Sequence, residues 1–383
     1  MDRRQFLSAA SALSFIAITD GAGAASPLSA SGDWQSVSPS AVGLNAALLE
    51  ALVKQIRAGE HSNIHSLLVI RHGKLALEEY FTGPDERRDP VLGSKPVGFV
   101  RFDANMLHDV RSVTKSVVSI LFGIAQSQGL IGDLNQPVMS FFPEYHDLAT
   151  PERKAIELRH VLSMCPGWEW DEDAKPYGDS HNSETAMDNS ADPYRYVLER
   201  KIIAPPGQKF QYDGGTTLLV GAIVERATKM RLEQYAEKVL FHPLGIARYE
   251  WIKYENGKVI PASGLRLRPR DLARIAQLYL HKGQWDSQVV PESWVRTSTT
   301  PQAAGGFYGF QWWVGASGEP FGASGRWAMA LGYGGQRTLI CPALDLVAVA
   351  TAGLYNDRQQ SKIVHKVLRQ CVDAVRPPMS ARS

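Results

Sequence analysis

Strand-like sequence occurs near both ends of this chain, and a long helical stretch separates the two regions. The early runs, 67–70 and 75–81, flank the turn residues RHGK and predict a β-hairpin. Later runs of the same kind lie at 308–314, 337–341 and 346–353. Because the two regions must pair in one sheet, we expect a mixed α/β fold with a helical insertion and a cleft between two lobes.

Helical periodicity dominates the middle of the chain. Apolar residues recur at helical spacing over 44–56 and over 112–124. Further helices are predicted at 156–164, 192–201, 216–229, 231–240 and about 360–375. Two polar stretches, 83–107 and 171–192, are predicted to be loops. The second is acidic and poor in apolar residues, so it is either a solvated surface loop or a lid over the cleft.

The size and charge of the chain exclude several classes of protein. With 383 residues it can bury a large core, as one large domain or as two intermingled lobes. Its 41 basic and 39 acidic side chains leave a formal net charge of only +2, and no basic stretch is interleaved with aromatic residues. We therefore expect no nucleic-acid partner, and the sequence leaves the oligomeric state open.

Residues 1–25 have the layout of a cleaved export signal. The Arg3–Arg4 pair is followed by QFL, by a short apolar segment over 7–18 and by small residues around Ala24 and Ala25. The apolar segment is shorter than the ~20 residues of a membrane-spanning helix, so a membrane anchor is the weaker alternative. This leader predicts twin-arginine export, cleavage near Ala24 or Ala25, no stable membrane anchor after cleavage, and a periplasmic or secreted protein.

Neither the cysteines nor the histidines have the spacing of a metal site. Cys165, Cys341 and Cys371 contain no CxxC pair, so buried thiols are predicted, with a Cys341–Cys371 disulfide as the alternative. His61 and His65 lack a third ligand and an HExxH context, so we expect them at a surface helix end. The sequence predicts no metal and no cofactor.

The segment HDVRSVTKSVVSI, 108–120, changes from polar to apolar at Ser112 and Lys115. A serine hydroxyl is a weak nucleophile until a base takes its proton, and a buried amine on the same helix face can act as that base. The N–H of a serine at a helix start has no partner within the helix and can bind a developing oxyanion. We interpret Ser112 as a candidate nucleophile and Lys115 as its base. The alternative is a helix cap followed by a solvated lysine.

Two later segments extend this pattern, PPGQKFQYDGGTT at 205–217 and LGYGGQ at 331–336. Together with SVTK they resemble the three ordered motifs of the serine β-lactamase and penicillin-binding-protein superfamily. They are most similar to its class C-like branch of esterases, D-alanyl-D-alanine carboxypeptidases and aminohexanoate-oligomer hydrolases. The resemblance implies a β-lactamase-like domain over 40–383, in which N- and C-terminal helices flank an antiparallel sheet. The sheet lobe would comprise about 40–107 and 300–383, and the helical lobe about 108–299.

By this resemblance Tyr212 is the tyrosine of the second motif, which assists the lysine and later gives a proton to the leaving group. A phenol near an ammonium has its phenolate form stabilised, so we expect proton exchange among Tyr212, Lys115 and Ser112 near neutral pH. The sequence departs from the family pattern Y-x-N at its third position, where Gly214 replaces the asparagine. Asp213 occupies the variable middle position, and we expect its side chain to point away from the site.

The third motif, by the same resemblance, is Tyr333-Gly334-Gly335 on a strand at the cleft edge, where substrate can approach the glycine backbone. The alternative from the residues alone is a simple turn between strands. The backbone N–H groups of Ser112 and Gln336 would form the oxyanion hole. These motif residues are predicted to bind substrate.

Tryptophans are further candidates for the substrate site, with the protein core as an equal alternative. Trp168 and Trp170 are predicted to line an acyl pocket, and Trp312 and Trp313 are weighed in the same way.

The sequence therefore predicts an exported serine hydrolase, of carboxylesterase or amidase type, that forms an acyl-enzyme on small esters or linear amides. A catalytically silent ligand- or peptidoglycan-binding protein of the same fold is one alternative, and a D-Ala-D-Ala carboxypeptidase or β-lactamase is another. The complete set of Ser112, Lys115 and Tyr212 favours an enzyme, since a sensor need not retain all three.

Overall fold

The computed structural model describes residues 34–316, 320–322 and 325–375. The predicted export signal and its cleavage site lie outside these ranges and stay predictions. None of the described helices is long and apolar enough to cross a membrane.

Antiparallel strands organise the fold. The strands of the described chain are β1 (Ile64–Arg71), β2 (Lys74–Tyr80), β3 (Thr82–Asp89), β4 (Gly93–Arg101), β5 (His108–Asp109), β6 (Glu250–Trp251), β7 (Leu265–Leu267), β8 (Trp313–Gly315), β9 (Trp327–Gly332), β10 (Gln336–Cys341) and β11 (Leu346–Ala352). The main sheet has the order β2-β1-β11-β10-β9-β8. A separate hairpin pairs β3 with β4, and a small sheet has the order β5-β7-β6.

Helices cover both faces of the main sheet. The described helices are α1 (Ala46–Arg57), α2 (Val113–Ser127), α3 (Pro151–Lys154), α4 (Leu158–Leu162), α5 (Ser183–Asp188), α6 (Pro193–Leu198), α7 (Gly214–Thr228), α8 (Leu232–Ala236), α9 (Pro269–Leu280), α10 (Glu292–Ser298) and α11 (Gln360–Asp373). Short 3₁₀ turns lie at Pro39–Val42, Val138–Phe141, Pro143–Leu148 and Pro342–Leu344, and a π-helical turn at Glu237–Phe241 continues α8. α1 and α11 pack on one face of the sheet, while α2 and α9 pack on the other.

The centre of the main sheet joins the two ends of the chain. β1 pairs with β11, with Leu68 opposite Val349 and Val69 opposite Ala348. Leu68 and Val349 belong to the core that contains α2, whereas Val69 and Ala348 belong to the core beneath α1 and α11. Since each strand is covered on both faces, its sequence is a continuous apolar run instead of an alternating one.

The structure confirms the first hairpin and the strands at 337–341 and 346–353, and it corrects three other assignments. The stretch 83–107, predicted to be a loop, forms β3 and β4, whose polar, partly exposed side chains hide the hairpin pattern. The run 308–314 contributes only its last two residues to β8. β9 is missed, because WAMALG contains the helix formers Ala, Met and Leu.

The predicted helices are present in the structure, although their first and last residues differ from the predicted ones. α2, α7 and α11 lie within the ranges predicted from periodicity or extend them slightly at an end. α4 and α6 are shorter than predicted, which is common where terminal turns are irregular.

The assignment of His61 and His65 to a surface helix end is wrong, because both are buried. His65 lies on β1 and stacks on Phe102 with ring centroids 3.9 Å apart. Burial lowers the pKa of His65 to about 3, so it is a neutral core residue. The three cysteines are buried thiols, as predicted. Within the described ranges no cluster of side chains could hold a metal ion.

Close packing of α2 depends on a glycine in its interior. Trp294 of α10 lies directly over Gly123, and a Cβ at this position would overlap the indole ring. The same indole packs on Phe122 with ring centroids 5.4 Å apart. A glycine inside a helix costs about 1 kcal/mol relative to alanine, so the close approach of α10 explains its presence here.

Gly123→Ala is expected to lower the free energy of unfolding by about 1–3 kcal/mol, because overlap with Trp294 outweighs the ~1 kcal/mol gain in helix propensity. Urea unfolding measures the change. The double variant Gly123→Ala/Trp294→Leu removes the overlap and should lose less than the sum of the two single variants. A more stable single variant would contradict this account.

Candidate active site

The start of α2 brings Ser112 and Lys115 together. Ser112 precedes the helix, and its side chain makes no capping hydrogen bond. Its hydroxyl instead accepts a hydrogen bond from Lys115 Nζ at 3.1 Å. Arg111, just before it, has a φ of 50°, an uncommon left-handed conformation for a residue with a side chain. The cap alternative is therefore wrong, and the serine hydroxyl faces the lysine.

Lys115 is a buried lysine with 1% of its surface exposed, so the alternative of a solvated side chain is also wrong. Besides Ser112 Oγ, its ammonium donates to the carbonyl of Ala262 at 3.1 Å. A carboxylate oxygen of Glu184 lies 3.8 Å from Nζ. The ring of Tyr212 has its centroid 5.0 Å from the same nitrogen. Four distant parts of the chain thus meet around one cation.

Tyr212 lies in the segment before α7 and stacks on Trp313 with ring centroids 5.8 Å apart. Burial raises the pKa of Tyr212 well above its ordinary value, and neighbouring acidic side chains add to this shift. A hydrogen bond with Ser112 opposes the shift. The expectation of a stabilised phenolate is therefore wrong for the free protein, because desolvation outweighs the nearby lysine. Tyr212 is a neutral phenol and a potential proton donor.

Asp213 caps α7 and points away from the serine, as predicted. Its Oδ1 accepts the N–H of Thr216 at 2.9 Å, and its Oδ2 accepts the indole N–H of Trp168 at 2.6 Å. Burial raises the pKa of Asp213 to about 7, and these two hydrogen bonds oppose the rise. The next residue, Gly214, occupies the position where the family motif has asparagine.

Tyr333, Gly334 and Gly335 form the turn between β9 and β10, so the turn alternative describes them better than a strand. The two glycines have φ values of 80° and 98°, which favour glycine. A Cβ on Gly334 would overlap the ring of Tyr355. Backbone conformation and packing therefore explain these glycines. Of the three residues, Tyr333 lines the cleft.

The end of β9 lies against the loop that leads into Ser112. A Cβ on Gly332 would overlap the backbone of Val110, so only glycine allows this contact. Gln336 pairs with Gly332 and bridges to β11 by donating its amide to Ala352 O at 2.6 Å. Among the described residues no backbone carbonyl accepts the N–H of Ser112. The oxyanion hole of Ser112 and Gln336 stays a prediction.

A cleft of about 790 Å³ opens above Ser112. Its walls come from residues 172–177, 209–212, 357–358 and 360–361, together with Trp313, Leu331, Tyr333, Arg337 and Asn356. The structure does not place Trp168 or Trp170 on this cleft, because both are buried in the helical lobe. Their indole N–H groups donate to Asp213 and to Glu172, at 2.6 and 2.7 Å. Trp312 is likewise a core residue.

Sequence reasoning missed Glu172 and Glu184, because they lie in the stretch 171–192 that reads as a polar loop. The structure buries both carboxyl groups, and residues 172–177 line the cleft, so this stretch is not simply solvated. The available signal was Gly214, since a missing side chain beside a predicted catalytic tyrosine leaves a space that another residue must fill.

The structure has an antiparallel sheet flanked by helices, and Ser112, Lys115 and Tyr212 lie beneath a cleft. A comparison with known protein families agrees with this architecture. The Beta-lactamase family model matches residues 49–365 of the chain. This chain belongs to the beta-lactamase family. The predicted fold class and family resemblance are confirmed, and the family is one of hydrolases.

Relatives of this beta-lactamase-family chain are distant in sequence. A Salmonella schwarzengrund protein provisionally named a D-alanyl-D-alanine carboxypeptidase is 25% identical over 223 residues, which cover 55% of this chain and 48% of that protein. The chain thus spans about half the length of the curated relatives it matches.

Solved structures share the fold more completely. A Bacillus anthracis protein provisionally named a 6-aminohexanoate-dimer hydrolase has a TM-score of 0.68 at 19% identity, covering 89% of this chain and 87% of its own. A beta-lactamase/D-alanine carboxypeptidase from Pseudomonas syringae has a TM-score of 0.62 at 17% identity, covering 87% and 100%. At these identities the likeness shows the fold alone.

Asp213→Ala is expected to lower the free energy of unfolding by about 2–4 kcal/mol, because it removes a helix cap and leaves the buried indole N–H of Trp168 without an acceptor. Denaturant unfolding measures this loss. The double variant Asp213→Ala/Trp168→Phe has no orphaned donor and should lose less than the sum of the single variants. Strictly additive losses would show that the two side chains are not coupled.

Proposed function

We propose that this protein is an exported serine hydrolase that forms an acyl-enzyme on small esters or linear amides. The observation that carries the proposal is the 3.1 Å hydrogen bond between Lys115 Nζ and Ser112 Oγ at the base of an open cleft. Burying a lysine is unfavourable because its ammonium group loses contact with water, and a protein without catalytic activity has no need for such a group. The burial of Lys115 therefore argues against a catalytically silent binding protein. The leader sequence supports export.

Acylation would begin with the neutral form of Lys115. Ser112 Oγ attacks the substrate carbonyl carbon and gives its proton to Lys115 Nζ. The tetrahedral oxyanion is held by the backbone N–H groups of Ser112 and Gln336. Tyr212, a neutral phenol, then donates its proton to the leaving oxygen or nitrogen and regains one from the Lys115 ammonium. The bond to the leaving group breaks, and an acyl ester on Ser112 remains.

Deacylation would reverse the proton path with water as the nucleophile. Water attacks the acyl carbonyl carbon and gives a proton to Lys115 Nζ. The bond between the acyl carbon and Ser112 Oγ then breaks, Lys115 returns the proton to Ser112 Oγ, and the acid product leaves. None of the proposed steps uses a metal or a cofactor. The residues that hold the acyl group would include Trp313 and Phe210, which line the cleft beside Tyr212.

The nucleophile assignment predicts that a fluorophosphonate probe labels Ser112 in the purified mature protein. Mass spectrometry of the labelled peptide identifies the modified residue. Ser112→Ala should abolish labelling. Ser116 lies nearby, and its hydroxyl donates to Gln311 O at 2.7 Å. Folded Ser116→Ala protein should still be labelled. An adduct on another residue, or labelling that survives Ser112→Ala, would refute the assignment.

Lys115→Arg should lower kcat/KM by about 10²–10⁴, because a guanidinium stays protonated and cannot accept the serine proton. An exposed lysine provides a matched control, and Lys54→Arg should leave kcat/KM unchanged. A loss of less than about tenfold in Lys115→Arg would limit the lysine to a positional role.

The substrate class follows from the position that begins the third motif. Tyr333 carries no positive charge, and its hydroxyl already donates to Asn356 Oδ1 at 2.8 Å and accepts from Asn356 N at 2.7 Å. A charge-assisted hydrogen bond to a substrate carboxylate is therefore missing here, and its loss is worth about 1–2 kcal/mol, or roughly tenfold in binding. Esters and amides without a carboxylate are the favoured substrates.

We expect kcat/KM for p-nitrophenyl butyrate to exceed that for a chromogenic cephalosporin. Tyr333→Lys should shift the ratio toward the cephalosporin by about tenfold, while Tyr333→Phe, which adds no charge, should not shift it. Equal or higher activity on the cephalosporin in the unmodified protein would contradict this ranking.

A D-Ala-D-Ala carboxypeptidase is the second candidate, and one observation favours it. Arg337 lines the cleft and is fully buried, and its guanidinium donates to neutral acceptors such as Ser361 Oγ at 3.0 Å. Burial lowers the pKa of Arg337 to about 9, so a substrate carboxylate would compensate a desolvated charge. A panel with esters, linear amides and D-Ala-D-Ala peptides separates the two candidates, since only a carboxypeptidase releases D-alanine.

A further inference from the structure

Two buried carboxyl groups occupy the space beside Gly214. A Cβ at this position would lie 2.7 Å from Glu184 Oε2 and 2.8 Å from Glu172 Oε1. Both side chains are almost fully excluded from solvent. The space that any larger side chain at 214 would fill is therefore taken by two carboxyl oxygens beside the start of α7.

The two carboxyl groups have different partners. Glu172 Oε1 accepts from Trp170 Nε1 at 2.7 Å and from the backbone N–H of Gly214, and its Oε2 accepts from Tyr177 at 3.2 Å. Glu184 Oε1 accepts from Ser263 at 2.8 Å. Glu184 Oε2 is buried and has no hydrogen-bond donor in the described chain. A proton on Glu172 would supply that donor.

We propose that Glu172 and Glu184 share one proton and together position Lys115 beside Ser112, with Glu172 as the neutral partner and Glu184 as the ionised one. The inference rests on the proposed function, because it concerns the charge and position of the lysine that activates the nucleophile. Glu172 and Glu184 are positioning residues, since they act on the substrate through Lys115.

Charge balance around the pair supports one proton. The charged and titratable groups that face it are Lys115 on α2, Arg88 on β3, Asp188 on α5, Asp213 before α7, and the phenols Tyr177, Tyr212 and Tyr254. Arg88 forms an ion pair with Asp188 and lies 3.7 Å from Glu184. Two cations, Lys115 and Arg88, therefore face Asp188, Asp213 and the pair. Burial raises the pKa of Asp213 to about 7, and a second charge on the pair would have no counterion.

The two carboxyl groups also differ in their proton affinity. Burial raises the pKa of Glu172 well above its ordinary value, and the neighbouring Glu184 adds to the rise. Burial would raise the pKa of Glu184 too, but the Lys115 and Arg88 cations lower it below its ordinary value. Like-charged carboxyl groups at short range cannot both ionise at low cost, so one of them keeps its proton.

This arrangement has a consequence for the lysine. The Glu184 carboxylate lies 3.8 Å from Lys115 Nζ and holds that nitrogen within hydrogen-bond reach of Ser112 Oγ. Loss of the Glu184 charge should therefore displace the group that takes the serine proton.

The first test measures kcat and KM separately for p-nitrophenyl butyrate. Glu184→Gln removes the charge that holds Lys115 and should lower kcat by about tenfold or more with little change in KM. Glu172→Gln keeps a neutral hydrogen-bond donor, so it should retain at least about tenfold more kcat than Glu172→Ala. An unchanged kcat in Glu184→Gln, or equal kcat in Glu172→Gln and Glu172→Ala, would overturn the proposal.

The second test uses stability and does not depend on activity. A raised pKa in the folded state means that folded Glu172 keeps a proton which the unfolded chain loses above about pH 4.3. The stabilisation from this proton is complete below that pH and decreases as pH rises. For one proton, the folding equilibrium constant falls by about tenfold per pH unit. Urea unfolding of the mature protein between pH 5 and 8 should show this slope relative to Glu172→Gln. A pH-independent difference would overturn the shared proton.

A third comparison tests the space at position 214. Gly214→Ala should displace the pair, lower the melting temperature and reduce kcat/KM, whereas Gly132→Ala, which meets only the flexible end of Gln136, should do neither. A fully active Gly214→Ala variant would overturn the positioning role. If no ester or amide is hydrolysed, the proposed function fails while the stability slope still decides whether the pair holds one proton.

Discussion

Burial of an ammonium group is the constraint on which the rest of this site depends. Lys115 lies at the start of α2 with almost no exposed surface, so every polar interaction it would have in water must be replaced by the protein. Ser112 and Ala262 supply oxygen acceptors, and Glu184 supplies the opposite charge. Because these groups come from separate parts of the chain, the helical lobe must fold before Lys115 is held beside Ser112.

The same burial determines the protonation state of Tyr212, the phenol beside Lys115. A tyrosine near a lysine is expected to ionise more easily, yet desolvation keeps Tyr212 protonated. In the proposed mechanism the phenol is therefore a proton donor, and Lys115 is the proton acceptor. The two carboxyl groups beside Gly214 follow the same logic, since low solvent access allows one negative charge near Lys115 and disfavours a second. Electrostatic balance therefore links Ser112, Lys115 and the loop that lines the cleft.

Pattern reasoning succeeded where a local signal and the tertiary environment agree. The continuous apolar runs of β1 and β11 identify strands that are buried on both faces, and the turn between β1 and β2 is visible in RHGK. It failed over 83–107, where β3 and β4 expose many side chains and carry no apolar period. It also failed for Trp168 and Trp170, which were predicted to line a substrate pocket. Their indole N–H groups instead donate hydrogen bonds to buried carboxyl groups. Composition alone cannot distinguish these uses of tryptophan.

The sequence by itself determined the strand-forming ends, the helical middle and the candidate set of Ser112, Lys115 and Tyr212, because short-range periodicity and ordered motifs are properties of the linear chain. Only the tertiary structure decided which groups surround Lys115. Glu172 and Glu184 are separated from that lysine by long stretches of sequence, and nothing in their local pattern distinguishes them from solvated acids. Their role arises from burial, and burial depends on how distant segments pack around the vacant side-chain position at Gly214.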